Sequence, residues 1–332
     1  MYKISTIKFN EFPTLAKGYW DDGPFYKYLN ELADKGGYAE RSVILGSEQS
    51  CLINDINPDN NKVPKSLQLN EVYLLPNHKG TYWGMRLYNT ALVMRNSVVS
   101  LMYGKESKPE GHAIYTNPSV LQVVTGCLIT QCAGNGIQSA NRPWEAGGKM
   151  FPCLYWEASY NKFLENHPIY SDRGGFLISI YGLAEKCVQL IEHNEIFETN
   201  AIIEKSGETY GSIGAFCSYP VNEPPATWTG VSGWWSPGQY TGELLRIADN
   251  KIVMKKPSQE ILWTHGNKRV EFVNNNLNFL GQLGNAKIHI DPPGSNVTNT
   301  GSFLIAGNTG EAIPVYHKGQ LIGNTSQTIK YN

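Results

Sequence analysis

The 332-residue chain carries 28 basic and 29 acidic side chains for a formal charge of −1, and its longest basic run is Lys255-Lys256 ahead of Pro257. With neither a global field nor a cationic patch, specific nucleic-acid binding is excluded as an expectation. Charged residues are 17% of the chain, below the ~25% usual in soluble domains, and 33 Gly, 18 Pro and 19 Tyr accompany many Asn, Thr, Ser and Gln. That mixture belongs to short strands joined by turns, so a mainly β fold is expected, with a surface too weakly charged to resist self-association.

Taken in chain order, the first ten residues alternate apolar and polar and contain no continuous apolar run of an export signal; they read as a strand. Residues 24–35 read as an amphipathic helix. Asp21 and Asp22 cap it, Pro24 sits in its first turn, Gly36-Gly37 ends it, and Phe25, Tyr28, Leu29 and Leu32 line one face. Strand-like runs follow at 41–45, 71–75, 81–88, 91–95 and 98–103, each bounded by Gly, Pro, Asn or Ser. The longest apolar stretch, 120–129, is broken by Gln122, Thr125 and Gly126 and falls short of the ~20 residues a membrane span requires.

The segment 174–193 matches a helical face through Leu177, Ile180, Tyr181, Ala184, Cys187, Val188 and Ile191, although Phe176, Ile178 and Ile180 also alternate as a strand does. It is read as a helix. From about residue 208 onward, alternate apolar pairs recur: Ile252/Met254, Ile261/Trp263, Val270/Phe272, Ile288/Ile290, Phe303/Ile305 and Ile313/Val315. Their spacing fits a sandwich or barrel, and because no repeat of constant period joins them a solenoid is disfavoured. Breaker residues at 166–175 place a domain boundary there.

No chemical motif is complete. Six scattered cysteines, Cys51, Cys127, Cys132, Cys153, Cys187 and Cys217, read as free buried thiols of a reducing compartment, and no histidine stands at zinc-ligand spacing from them. The sequons at Asn296 and Asn324 are then silent. Trp20-Asp21-Asp22, Trp144-Glu145 and Trp156-Glu157 each offer a carboxylate beside an aromatic, as glycoside hydrolysis requires, but a helix cap and chance adjacency explain them equally well. Asp55, Asn57 and Asp59 begin like a calcium loop that then lacks its glycine and terminal acid. Gly134-Asn-Gly136 does not continue into a phosphate loop, and Gly233-Trp-Trp-Ser236-Pro-Gly238 has the wrong spacing for a serine elbow. Trp228, Trp234, Trp235, Tyr240 and Trp263 lie close together in sequence. They are the candidate ligand or subunit contact, since aromatic rings on a β-face stack on sugars.

Two β-rich halves, free thiols, near-neutral charge and no catalytic set resemble a bacteriophage virion structural protein. The likeness is to the double jelly-roll major capsid proteins of tailless, membrane-containing phages. The strand runs at 71–103 and 252–315, the helix 24–35 as an insertion and the break at 166–175 carry it. The resemblance implies two antiparallel β-sandwich or jelly-roll barrels, residues 1–170 and 171–332, forming homotrimers in a shell assembled in the host cytoplasm. Its partners would be copies of itself, other virion proteins and, peripherally, an internal lipid membrane, with no cofactor. Two other readings stand beside it: a carbohydrate-binding adhesin or phage tail or spike component using the Trp228–Trp263 cluster, and a β-sandwich glycoside-processing enzyme, which needs two facing carboxylates.

Overall fold

The computed structural model describes residues 37–46, 50–53, 65–76, 81–102, 111–140, 153–166, 176–181, 186–199, 202–203, 209–210, 214–219, 242–293 and 299–332. The strand expected over the first ten residues and the helix expected at 24–35 lie outside them. The described strands do not form two antiparallel jelly rolls; they stack as one mostly parallel, 25-stranded sheet wound into a solenoid.

Three parallel ladders make its faces. The first runs through β1 (Gly37–Leu45), β3 (Lys65–Leu75), the ends of β4 (Trp83–Arg95) and β6 (His112–Thr125), then β9 (Cys153–Ser159), β12 (Val188–Glu192), β17 (Gly242–Ala248), β20 (Asn267–Val273) and β23 (Ser302–Ala306). The second holds β5 (Val98–Ser100), β7 (Leu128–Thr130), β10 (Lys162–Leu164), β13 (Glu195–Glu198), β18 (Lys251–Met254), β21 (Asn276–Phe279) and β24 (Thr309–Gly310). The third holds β2 (Ser50–Ile53), the starts of β4 and β6, β8 (Ile137–Ala140), β11 (Phe176–Tyr181), β16 (Gly214–Tyr219), β19 (Leu262–Thr264), β22 (Ile288–Ile290) and β25 (Pro314–His317). β14 (Ile202–Ile203) and β15 (Thr209–Tyr210) pair with each other inside one connection. At the C-terminal end β26 (Gln320–Asn324) and β27 (Ile329–Tyr331) join β25 and β23 antiparallel.

In-register stacking puts like on like along the axis. On the third face Ile114, Ile137, Ile178, Phe216, Leu262 and Ile288 sit one above another, each fully buried or nearly so. On the second, Ile129, Phe163, Ile196, Ile252 and Leu277 do the same. Burying one such side chain contributes about 1.5–3 kcal/mol, so these columns are the core.

The corner between the first and second faces is set by two residues. Asn96, Gly126, Tyr160, His193, Asp249, Asn274 and Gly307 occupy the left-handed region, with φ from 49° at Asn96 to 67° at Gly307. The next residue turns its side chain into the corner. Asn161 Oδ1 accepts the N–H of Cys127 at 2.9 Å, Asn194 Oδ1 that of Asn161 at 2.9 Å, Asn250 Oδ1 that of Asn194 at 2.9 Å, Asn275 Oδ1 that of Asn250 at 3.1 Å, and Asn308 Oδ1 that of Asn275 at 2.9 Å. Each Nδ2 donates to a carbonyl on the neighbouring coil, for example Asn161 to Val124 at 2.9 Å and Asn250 to Ile191 at 2.8 Å. The ladder thereby satisfies backbone groups that the bend takes out of the strands.

Two expectations are corrected here. The alternation read as an antiparallel sandwich is real, but a solenoid has one dry and one wet side to each strand as well, so alternation does not separate the two. Within 174–193 the described residues form the strands β11 and β12 and not a helix. The helix-like periodicity of this segment arises because Leu177, Ile178 and Ile180 are all buried in the core, so burial does not alternate strictly along β11. The ladders run on past 166–175 without a break in pairing, as β9 with β12 and β10 with β13 demonstrate.

Candidate functional site

On the third face the middle residue of each short strand points outward because its neighbours point in. In β19, β22 and β25 that residue is Trp263, His289 and Tyr316, flanked by the buried Leu262, Thr264, Ile288, Ile290 and Val315. Register pairs Trp263 with His289 and His289 with Tyr316. One half-buried ring therefore stands on each coil, at the ~4.7–4.9 Å spacing of neighbouring strands. The His289 and Tyr316 ring centroids are 5.8 Å apart.

Polar groups flank this row. Glu260 Oε1 lies 3.5 Å from Lys287 Nζ and 3.8 Å from His289 Nδ1, and Lys287 Nζ is 5.9 Å from the centre of the Tyr316 ring. Burial pushes the Glu260 carboxyl up, but the His289 contact and the Lys287 charge outweigh it and hold the group below its ordinary value. At the strand ends, buried Asp291 accepts from Thr300 N at 3.0 Å and Thr300 Oγ1 at 2.9 Å, and it faces His265 Nδ1 at 3.7 Å and His317 Nε2 at 3.3 Å. Burial lowers both imidazoles, with Asp291 opposing it. The Trp263 ring meets His265 edge-on at 5.1 Å.

Followed toward the N-terminus, the same outward column passes Cys217, Ser179, Gln138 and Tyr115 to Arg86. Ser179 and Cys217 are fully enclosed despite facing outward, which divides the column into two stations. The second station gathers Trp83, Arg86, Tyr88, His112 and Tyr115, with Tyr115 6.4 Å from Tyr88 and 6.1 Å from His112 between ring centroids.

No family model, curated protein or solved structure matches this chain.

Of the aromatic cluster expected from sequence, Trp263 belongs to this surface, whereas Trp228, Trp234, Trp235 and Tyr240 fall in 220–241, outside the described residues. Trp263 was expected to share an inward face with Ile261; it faces outward, and Leu262 and Thr264 occupy the inner side. His289, Tyr316, Arg86 and Tyr115 were missed. Their signal was a polar or aromatic residue between two inward positions, as in Ile288-His289-Ile290.

The remaining candidates do not assemble. Trp156 is fully buried in the interior, where Nε1 donates to Ser139 Oγ at 3.0 Å, and Glu157, its neighbour, is held outside by the Tyr155 hydroxyl at 2.7 Å. Trp20-Asp21-Asp22, Trp144-Glu145, the 55–60 loop and Gly233 to Gly238 lie outside the described residues. All six cysteines are buried free thiols. Among the described residues no group of three or more His, Cys, Asp or Glu side chains is placed to hold a metal ion.

Proposed function

We propose that the protein is a carbohydrate-binding adhesin or a phage tail or spike component, and that Trp263, His289 and Tyr316 form its glycan contact. The observation that carries this reading is the row itself: one outward ring per coil, at a period close to the ~5 Å length of a sugar residue, with Lys287 and Glu260 beside it to hydrogen-bond hydroxyls. A linear oligosaccharide lying along the solenoid axis meets one ring per sugar. The alternative of a shell-forming capsid protein drew its support from paired jelly rolls, and a single parallel solenoid removes that support. Association with other virion proteins remains part of the spike reading.

Glycan-array binding, followed by titration of a hit through increasing chain length, tests the proposal. Affinity should rise up to about three sugars and then level, and Trp263→Ala and Tyr316→Ala should each weaken binding at least tenfold while the fold persists. A protein that binds no glycan, or whose binding ignores both substitutions, ends this reading.

A further inference from the structure

The second station on the third face holds a cation without an anion. Arg86 is half-buried; its guanidinium lies 4.8 Å from the Trp83 ring centre and 5.3 Å from that of Tyr88, and its Nε donates to the Tyr88 hydroxyl at 2.7 Å. These contacts fix the plane of the guanidinium and use one of its five N–H donors. No carboxylate among the described residues pairs with it. The other described half-buried arginine, Arg246, is by contrast held by Glu192 and Glu271, both at 2.6 Å.

A partly desolvated cation seeks a counter-charge. With the guanidinium lying over the Trp83 ring and only Nε engaged, its remaining edge suits a planar anion that accepts two parallel N–H bonds. Tyr115, one coil along and stacked in register with Arg86, supplies an adjacent ring on which the body of the ligand rests.

We propose that Arg86, held over the Trp83 ring, binds the carboxylate of an acidic sugar, so that the glycan this protein recognises is a polyuronate rather than a neutral chain. The identity of the carrier rests on the glycan reading above, whereas the anion site stands on the Arg86 and Trp83 geometry alone.

The test is calorimetric titration of the full chain at low salt with a hexauronate oligosaccharide, its carboxyl-reduced neutral counterpart and poly-glutamate. The expected result is at least tenfold tighter binding of the acidic sugar than of the reduced one. Arg86→Gln should erase that preference while leaving the neutral sugar unaffected, and Arg86→Lys should keep part of it. Should Arg86→Gln fail to fold, Arg86→Lys, which keeps the charge but loses the two-pronged donor edge, should cut the preference several-fold. Equal affinity for both sugars, or a preference that survives Arg86→Gln, overturns the acidic assignment and leaves the glycan reading intact. Binding of neither sugar at millimolar concentration overturns both, and poly-glutamate binding as tightly as the uronate shows an acidic peptide to be the partner and overturns the sugar assignment.

Discussion

Asn250 Oδ1 accepts the backbone N–H of Asn194, 56 residues earlier in the chain, at 2.9 Å, while its own N–H goes to Asn275 Oδ1 and its Nδ2 to the Ile191 carbonyl. One side chain thus links three coils. Asn250→Ala leaves buried donors and acceptors unmade, at about 1–3 kcal/mol each, and denaturant unfolding should register a loss of at least that size. Asn276→Ala, on an exposed position one residue from the ladder, should change stability by less than about 0.5 kcal/mol.

Cys127 stands in the ladder where other coils have asparagine. Its thiol accepts from the Ser97 N–H and lies 3.8 Å from the Met94 carbonyl, the equivalents of the two bonds that Asn161 makes. Sulfur is a weak partner for both. Cys127→Asn should therefore raise stability by about 1 kcal/mol, whereas a loss of stability in the same denaturation assay would mean that the corner is too tight there for an amide.

At the neighbouring corner Glu198 is fully buried and accepts from Asn166 N at 2.7 Å and Asn166 Nδ2 at 2.9 Å. Burial pushes its carboxyl well above the usual range, against the pull of those two donors. A raised folded-state value means the native protein holds this proton more tightly than the unfolded chain. The associated stability is present below the unfolded value, about pH 4.5, and is lost as pH climbs toward the folded one. Glu198→Gln removes that dependence but leaves one Asn166 donor facing an amide. Unfolding curves between pH 5 and 9 should show the variant weaker at pH 5 and the two proteins converging as pH rises.

The His265, Asp291, His317 group works in the opposite direction. Both imidazoles are lowered by burial, so protons bind the unfolded chain preferentially. Stability is unaffected above about pH 6.5 and declines as pH drops below it. Thermal midpoints measured from pH 8 to 5 should fall in the wild type and fall less steeply in His265→Gln.

Much of the fold's grammar was legible in the chain. Ile191-Glu-His-Asn194-Glu-Ile196, Ile247-Ala-Asp-Asn250-Lys-Ile252 and Phe272-Val-Asn-Asn275-Asn-Leu277 are three copies of one corner. They escape a search for a fixed period because successive ladder asparagines are 33, 56, 25 and 33 residues apart. Loop lengths vary, and only the corner repeats. Inward pairs such as Ile288/Ile290 and Phe303/Ile305 were readable from alternation, but which strands they pair with was not, since alternation carries no information on direction. The aromatic row was legible only at Trp263, because His289 and Tyr316 join it through stacking of coils distant in sequence.

The coil that follows Trp263 turns from the third face to the first with His265 and Gly266 alone, between Thr264 and Asn267. One coil earlier, the positions in register with those two, Ser218 and Gly242, are separated by a connection that contains 220–241 and three tryptophans. The minimal closure is thus written in the protein itself, and the longer version is an elaboration hung on an unchanged frame. Such a frame lets a connection differ by more than twenty residues from one coil to the next without changing how the coils on either side stack.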